Sequence, residues 1–589
     1  MTTSNPNPIE KPKAELDQNK RPELTALTML KALKSHGIDY FFCNPGTDFP
    51  SIVEAFSMAL NDPEIAQSLP KPIVVPHENA AVAMAHGVYL ISGQPQAVMV
   101  HVNVGTANTI NGAANASRDQ IPILLLAGRT PLTETGMHGS RSRNIHWAQE
   151  MFDQAGMLRE FTKWDQELKL ASETEAVIDR AMELMMTSPR GPAYLSLPRE
   201  ILSTMTTVKK SNSVRAVSGA PWPDPNSIIE LANLIGKATR PIIITSTSGR
   251  SRAGFDVLSS FSQKYAVGVI TASGRYLCIP SSHAMNLGYQ TQPFLREADL
   301  VLVIDCDVPW IPSLESPPLG CQVVHIAEDP AFSNYPTRGF PVDLSIKADS
   351  AIALQELDKE LSRRFNSGVD EVDSIKTRRA LITEQKQKLT GQSQTQAENS
   401  KHLPHITPEY ISECISNAVG TSAIIFNEYP LRQEHCKREE YGTLFGLSPA
   451  GGLGWGLGAA IGAKLCAPER LVVATLGDGA YMFDNPTACH WVSSVQKLPI
   501  LVIVFNNQMY GAVRNSTIGM YKNGESANNG GTLLADLSPS PMFEKVVEAS
   551  GGYGERVEDP KVLPAALTRA LHAVQQEKRQ ALLNVICRY

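Results

Sequence analysis

Short runs of apolar residues recur along the chain, and the segments between them are long enough to form helices. The runs are Ile73 to Val75, Ala97 to Val100, Ile123 to Leu126, Ile242 to Ile244, Leu300 to Ile304, Leu471 to Leu476 and Ile500 to Phe505. Each is β-branched or leucine-rich and continuous instead of alternating, which is how a strand buried on both faces reads. Such strands, separated by crossover segments, predict parallel sheets covered by helices on both sides. Two polar stretches interrupt the pattern, 204–225 (TMTTVKKSNSVRAVSGAPWPDP) and 366–408, the latter rich in Gln, Ser, Lys and Glu. Read as linkers, they leave a polar tail over 1–22 and three α/β domains over 23–203, 226–365 and 409–589. The expected architecture is three open, mainly parallel α/β domains without a short-period repeat.

Composition narrows the class. The 589 residues are 42% hydrophobic and 19% charged, which excludes a disordered or collagen-like chain. Lys and Arg total 53 against 59 Asp and Glu, a net charge of -6 that does not suit a nucleic-acid partner. Apolar runs such as Ile121 to Ala127 and Pro499 to Phe505 fall far short of the roughly 20 residues of a membrane helix. Residues 1–21 are polar and charged and read as a tail, not a signal peptide. Nine cysteines without a Cys-x-x-Cys pair fit reduced thiols and a cytoplasmic enzyme better than a zinc module or a disulfide framework.

The densest chemistry lies between Leu471 and Arg514. A strand to Leu476 should end in the turn Gly477-Asp478-Gly479. A helix over about 485–497 should follow, then a strand from Pro499 ending at Asn506-Asn507. The strands of such a βαβ unit are parallel, so Asp478 and Asn507 come to neighbouring carboxyl ends, where open α/β sheets bind ligands. A carboxylate from Asp478, an amide oxygen from Asn507 and the Met509 carbonyl suit Mg²⁺, which completes its oxygen shell with water and substrate phosphate. Gly-Asp-Gly or Asn-Asn alone would be an ordinary turn. With 26 residues between Gly479 and Asn506, the pair matches the thiamine diphosphate (ThDP) motif. The glycine cluster Gly452 to Gly458 imitates a dinucleotide fingerprint, but that motif must follow a strand. Here the expected strand comes afterwards, so these glycines are read as close helix packing and approach to the cofactor.

Near the other end, Pro76-His77-Glu78-Asn79 follows a short strand and opens a small-residue helix over 80–89. Glu78 could be only a helix-terminal carboxylate. Alongside a separate ThDP motif it reads as the acid that activates the cofactor's aminopyrimidine.

From these residues the chain resembles the ThDP-dependent 2-oxo acid decarboxylase and acetolactate synthase superfamily over nearly everything after residue 22. The stretch 29–56, with Asn44-Pro45-Gly46-Thr47, is similar to the opening of that superfamily's pyrimidine-binding domain, and Gly191 to Pro198 to its close. Ala450-Gly451-Gly452-Leu453-Gly454 resembles the segment whose large apolar residue, here Leu453, bends the cofactor. The resemblance implies cofactor contacts from Asn44, Pro45, Gly46, Glu78, Asn427, Glu428, Gly451, Gly452, Leu453, Gly477, Asp478, Gly479, Ala480, Asn507, Met509 and Tyr510. Metal ligation falls to Asp478, Asn507 and Met509.

The benzoylformate decarboxylases are the subgroup most resembled. His101-Val-Asn-Val-Gly105-Thr106-Ala-Asn108 is similar to their segment carrying a catalytic histidine, and Ser282 to Gly288 to the segment carrying a second, here His283. Thr47 stands for their substrate-binding serine. Leu447 and Ser516 stand where aromatic side chains line their pocket, which opens it. Pro241 to Arg250 is less glycine-rich than the FAD site of biosynthetic acetolactate synthases, so FAD is not expected.

The resemblance implies a ThDP- and Mg²⁺-dependent carboxy-lyase converting a 2-oxo acid to an aldehyde, with carboligation as a side activity. Its rivals are an acetolactate-synthase-like carboligase or a 2-hydroxyacyl (acyloin) lyase, and a catalytically silent scaffold. It also implies a homodimer or homotetramer, with cofactor sites shared between subunits.

Overall fold

A computed structural model describes residues 22–207, 216–365 and 373–588. The tail over 1–21, parts of both expected linkers (208–215 and 366–372) and Tyr589 lie outside the described residues.

The first sheet contains β1 (Tyr40–Asn44), β2 (Lys71–Val74), β3 (Gln96–Val100), β4 (Ile123–Arg129), β5 (Asp165–Glu167) and β6 (Ala193–Pro198). The central sheet contains β7 (Pro241–Thr245), β8 (Gly268–Thr271), β9 (Leu300–Ile304), β10 (Gln322–Ala327) and β11 (Leu344–Lys347). The third contains β12 (Ile424–Glu428), β13 (Leu444–Gly446), β14 (Val472–Gly477), β15 (Leu501–Asn506), β16 (Tyr553–Val557) and β17 (Ala581–Ile586). Their orders are β2-β1-β3-β4-β6-β5, β8-β7-β9-β10-β11 and β13-β12-β14-β15-β17-β16. Every pairing within these sheets is parallel. The first and third sheets therefore share one topology.

The runs in β3, β7, β9 and β15 are buried from end to end, as strands covered on both faces must be, whereas Val74 of the edge strand β2 is exposed. In the first sheet the strand order reverses between β1 and β3, where Asn44 pairs with Val100. In the third it reverses between β12 and β14, where Glu428 pairs with Leu476. Such switch points open a crevice at the carboxyl ends of the strands. They place the Asn44–Thr47 turn beside His101, and the Asp478 turn beside Glu428.

The helices that matter to the site are α1 (Glu78–Ser92), α2 (Val102–Arg118), α3 (Asp373–Lys401), α4 (Gly456–Cys466) and α5 (Asp478–Phe483). The α4 helix packs against α1 with almost no side chain between them. A Cβ on Gly87 would lie 2.0 Å from the Ala459 carbonyl oxygen, and one on Gly462 2.0 Å from that of Met84. The small-residue composition of both helices permits this approach, which fixes the first domain on the third. A buried Arg275 joins the first and central domains, its guanidinium 3.3 Å from Asp119 and 2.7 Å from Asp307.

Two expectations need correction. Residues 373–401, expected as linker, form the long helix α3. Its Lys, Gln and Glu are good helix formers, and Ile375, Arg378 and Ile382, three and four residues apart on one face, are buried. Arg378 donates to the Ile235 and Ala238 carbonyls of the central domain, so α3 is strapped onto that domain. The glycine cluster does follow a strand, the three-residue β13, so the missing strand is no argument against a dinucleotide site. The glycines still serve packing: Gly454 has a φ of +90°, and a Cβ on Gly458 would lie 2.7 Å from that of Ala83. Among the described residues, no helix is long and apolar enough to cross a membrane.

Candidate active site

Glu78 is the first residue of α1, is 7% exposed, and accepts a hydrogen bond from Asn108 Nδ2 at 3.0 Å through Oε2. Asn108, Asn111 and Asn115 stand three and four residues apart on α2 and so share a face. Asn111 donates to the Leu453 carbonyl at 2.8 Å, and Asn115 to that of Gly452 at 2.7 Å. Asn79, next to Glu78, donates to the Gly454 carbonyl at 3.0 Å. The turn bearing Leu453 is thus held by the first domain of its own chain, close to Glu78. Sequence reasoning missed Asn111 and Asn115, although their helical spacing was a readable signal.

His101 caps α2 from the end of β3. Its Nδ1 lies 2.5 Å from Asp48 Oδ1, and Nε2 lies 3.5 Å from Gln149 Nε2. The hydrogen bond to Asp48 raises its pKa above the ordinary histidine value, outweighing half-burial, and the charges of Asp48 and Glu78 add to the rise. Gly46 packs against the ring, where a Cβ would come 2.1 Å from Nδ1. Thr47 and His101 share a small cleft with Arg129, His146 and Arg199. Arg199 fixes the Thr47 turn by donating to its carbonyl at 3.3 Å.

On the third sheet, Gly477 pairs with Phe505, which brings Asp478 and Asn506-Asn507 to adjacent strand ends. Asp478 opens α5 instead of a bare turn, because Gly477 caps the helix. It is 2% exposed; Oδ1 accepts the Gly479 N–H at 2.9 Å, while the buried Oδ2 has no partner. Burial pushes its carboxyl up to about 6, against the backbone N–H groups that stabilise the charged form. Asn507 Oδ1 accepts the Met509 N–H at 3.2 Å. Tyr510 covers Gly479, whose Cβ would meet the ring at 2.7 Å, and Ala480 is buried beside it. An unpartnered buried carboxylate oxygen next to an amide oxygen fits Mg²⁺, which takes its remaining ligands from water and phosphate. Among the described residues no group of three or more His, Cys, Asp or Glu side chains could hold a metal alone.

Other expected site residues serve differently. Glu428 is enclosed and accepts the N–H groups of Gly454, Trp455 and Gly456 at 2.8, 3.1 and 2.6 Å. Asn427 Oδ1 accepts from the Leu431 N–H at 3.0 Å and from Thr475 Oγ1 at 3.1 Å. Glu428 thus holds the turn that bears Leu453, and Asn427 ties β12 to Leu431 and Thr475. Leu447 is half-buried, but Ser516 stands exposed on the helix Gly511–Met520. His283 lies on the central domain, where Nδ1 accepts the Met285 N–H at 3.2 Å and Lys386 donates to its carbonyl at 2.6 Å. Among the described residues no hydrogen bond or ion pair joins His283 to Glu78 or His101.

Known proteins match this chain in sequence and fold. Residues 25–157, 228–357 and 419–585 match the N-terminal TPP binding, central and C-terminal TPP binding domains of the thiamine pyrophosphate enzymes. The benzoylformate decarboxylase of Pseudomonas aeruginosa is 25% identical, over 82% of this chain and 85% of its own. A probable acetolactate synthase large subunit of Methanococcus aeolicus is 23% identical, over 93% and 90%. The solved structure of a thiamine diphosphate-dependent 4-hydroxybenzoylformate decarboxylase from Rhodococcus jostii superposes with a TM-score of 0.75 at 19% identity, over 96% of this chain and 99% of that one. Matched in all three domains, the chain belongs to the thiamine pyrophosphate enzyme family.

Proposed function

We propose that the protein is a ThDP- and Mg²⁺-dependent lyase that removes CO₂ from a 2-oxo acid non-oxidatively and releases an aldehyde, with carboligation as a side activity. The observation that carries this reading is the buried, unpartnered Asp478 Oδ2 at the carboxyl end of β14, with Asn507 just past the neighbouring end of β15. Asp478, Asn507 and the Met509 carbonyl would hold the metal and, through it, the diphosphate. Bound ThDP would supply the electron sink on which a 2-oxo acid loses CO₂. Asn108 occupies Oε2 of Glu78 and leaves Oε1 uncommitted among the described residues, so Oε1 is the atom that would exchange a proton with the aminopyrimidine. His101, with Nδ1 engaged by Asp48, would move a proton to or from the substrate at Nε2. Thr47 would contact the substrate, and Leu447, standing where the resembled subgroup has an aromatic side chain, would widen the pocket.

The likeness to an acetolactate synthase over 93% of the chain favours a second reading, in which a carbonyl acceptor captures the product before release. Product analysis with pyruvate, with and without an acceptor aldehyde, separates them. Free aldehyde as the main product in both supports the lyase; a 2-hydroxy ketone formed even without added acceptor supports the carboligase. The reading includes at least a homodimer, supported by exposed apolar side chains such as Phe152, Leu533 and Leu534 that a second subunit would cover.

A further inference from the structure

We propose that Asp48 is the positioning residue of His101, holding the imidazole so that Nδ1 faces a buried carboxylate and Nε2 alone faces the site. This rests on the role given to His101 above. Asp48 is 5% exposed, and both its oxygens are committed to one short segment. Oδ1 lies 2.5 Å from His101 Nδ1, and Oδ2 accepts the Val102 N–H at 3.2 Å.

Three further features show that this pair is built. A Cβ on Gly128 of β4 would lie 1.7 Å from Asp48 Oδ2, and one on Gly46 2.1 Å from His101 Nδ1. Two glycines on separate elements therefore clear the volume that the carboxylate and the ring occupy. Val102 has a φ of +33°, a left-handed conformation that is costly for a β-branched residue. Its N–H is bonded to Asp48, so the carboxylate that orients the ring also holds the strained peptide behind it. Such strain persists only where the surroundings impose it.

The pairing fixes the proton on Nδ1 of the neutral ring and favours the imidazolium. The charged and titratable groups facing His101 are Asp48, Glu78, Arg129, His146 and Arg199. His146 is held below the ordinary histidine value by its burial and then by Arg199, Arg143, Arg141 and His101, so Asp48 is the carboxylate in contact with the ring.

The test is peptide-resolved modification of His101 by diethyl pyrocarbonate across pH, on the ThDP- and Mg²⁺-loaded protein, since the reagent reads neutral imidazole. The wild-type midpoint should lie above about 6.5, the ordinary histidine value. In Asp48→Asn, which keeps the side-chain size, the midpoint should move to a pH lower by about 1 or more. Turnover of a 2-oxo acid should fall about tenfold or more, with KM within about threefold and ThDP binding retained, because a misplaced general acid–base loses part of its usual worth. A wild-type midpoint at or below about 6.5, or an Asp48→Asn protein with wild-type midpoint and turnover, overturns the proposal. So does a variant that is only less stable, with the midpoint of its folded fraction unchanged. If no 2-oxo acid is turned over, the functional reading fails, while the midpoints still decide the role of Asp48.

Discussion

Asn115 grips Gly452 by both edges of its peptide: Nδ2 donates to the Gly452 carbonyl at 2.7 Å, and Oδ1 accepts the Gly452 N–H at 3.1 Å. A side-chain amide thereby replaces a turn of secondary structure between two domains. Asn115→Ala should cost about 1–3 kcal/mol of stability, since a buried amide edge is left without its partner. It should also weaken ThDP binding, because the freed turn carries Leu453. Melting curves with and without cofactor read both effects.

Asp478→Ala should abolish the thermal stabilisation conferred by ThDP with Mg²⁺, about 2.7 kcal/mol when the ligand is at about 100 times its Kd. Without cofactor the variant should be no less stable than wild type near neutral pH, because it removes a carboxyl that burial pushes up to about 6. Undiminished stabilisation by the cofactor would remove Asp478 from the metal site.

Glu78→Gln should slow hydrogen–deuterium exchange at the thiazolium carbon of bound ThDP by about 10²- to 10⁴-fold, a general acid–base effect. The exchange needs no substrate, so it isolates the cofactor step. His101→Ala should leave it nearly normal while lowering turnover.

Glu428 and Asp484 cap consecutive N–H groups at the start of α4; Asp484 accepts that of Leu457 at 3.1 Å. Burial raises the Glu428 carboxyl to about 7, and burial, then the Glu428 charge, raises that of Asp484. A carboxyl raised in the folded state binds protons that the unfolded chain would release. Its contribution to stability is present at low pH and lost as pH rises through the folded value. For Glu428 that window runs from the ordinary carboxyl range to about 7. Asp484→Asn keeps an acceptor for Leu457 but removes the second raised carboxyl, and with it that group's own loss of stability as pH rises. Melting without cofactor between about pH 6 and 8 should then show a shallower loss of stability than in wild type, the two proteins differing by about 1 kcal/mol across that range.

Seven of the strands were legible because each carries a continuous apolar run, and Leu300–Ile304 coincides with its expected bounds; polar strands such as β5 and β16 were not. The helix α3 was not, because its buried anchors are few within a polar sequence. Asp478, Asn507 and Glu78 stood out because each sits where a strand gives way to a turn or helix. Asp48 and Asn115 did not, because their meaning lies in partners 53 and 337 residues away. Glu428 was read from its resemblance to a cofactor segment, which cannot reveal that its oxygens accept three successive backbone N–H groups.

At the centre of the proposed function, the fold uses ThDP to break the bond between the keto carbon and the carboxylate of a 2-oxo acid. The direct measurement is CO₂ release from a panel of aliphatic and aryl 2-oxo acids by the purified protein with ThDP and Mg²⁺, beside a Glu78→Gln control. Release is expected from at least one acid, dependent on added ThDP and lost in the control by about 10²-fold or more. No release from any acid by protein shown to have ThDP bound, or equal release from Glu78→Gln, would contradict the proposed function.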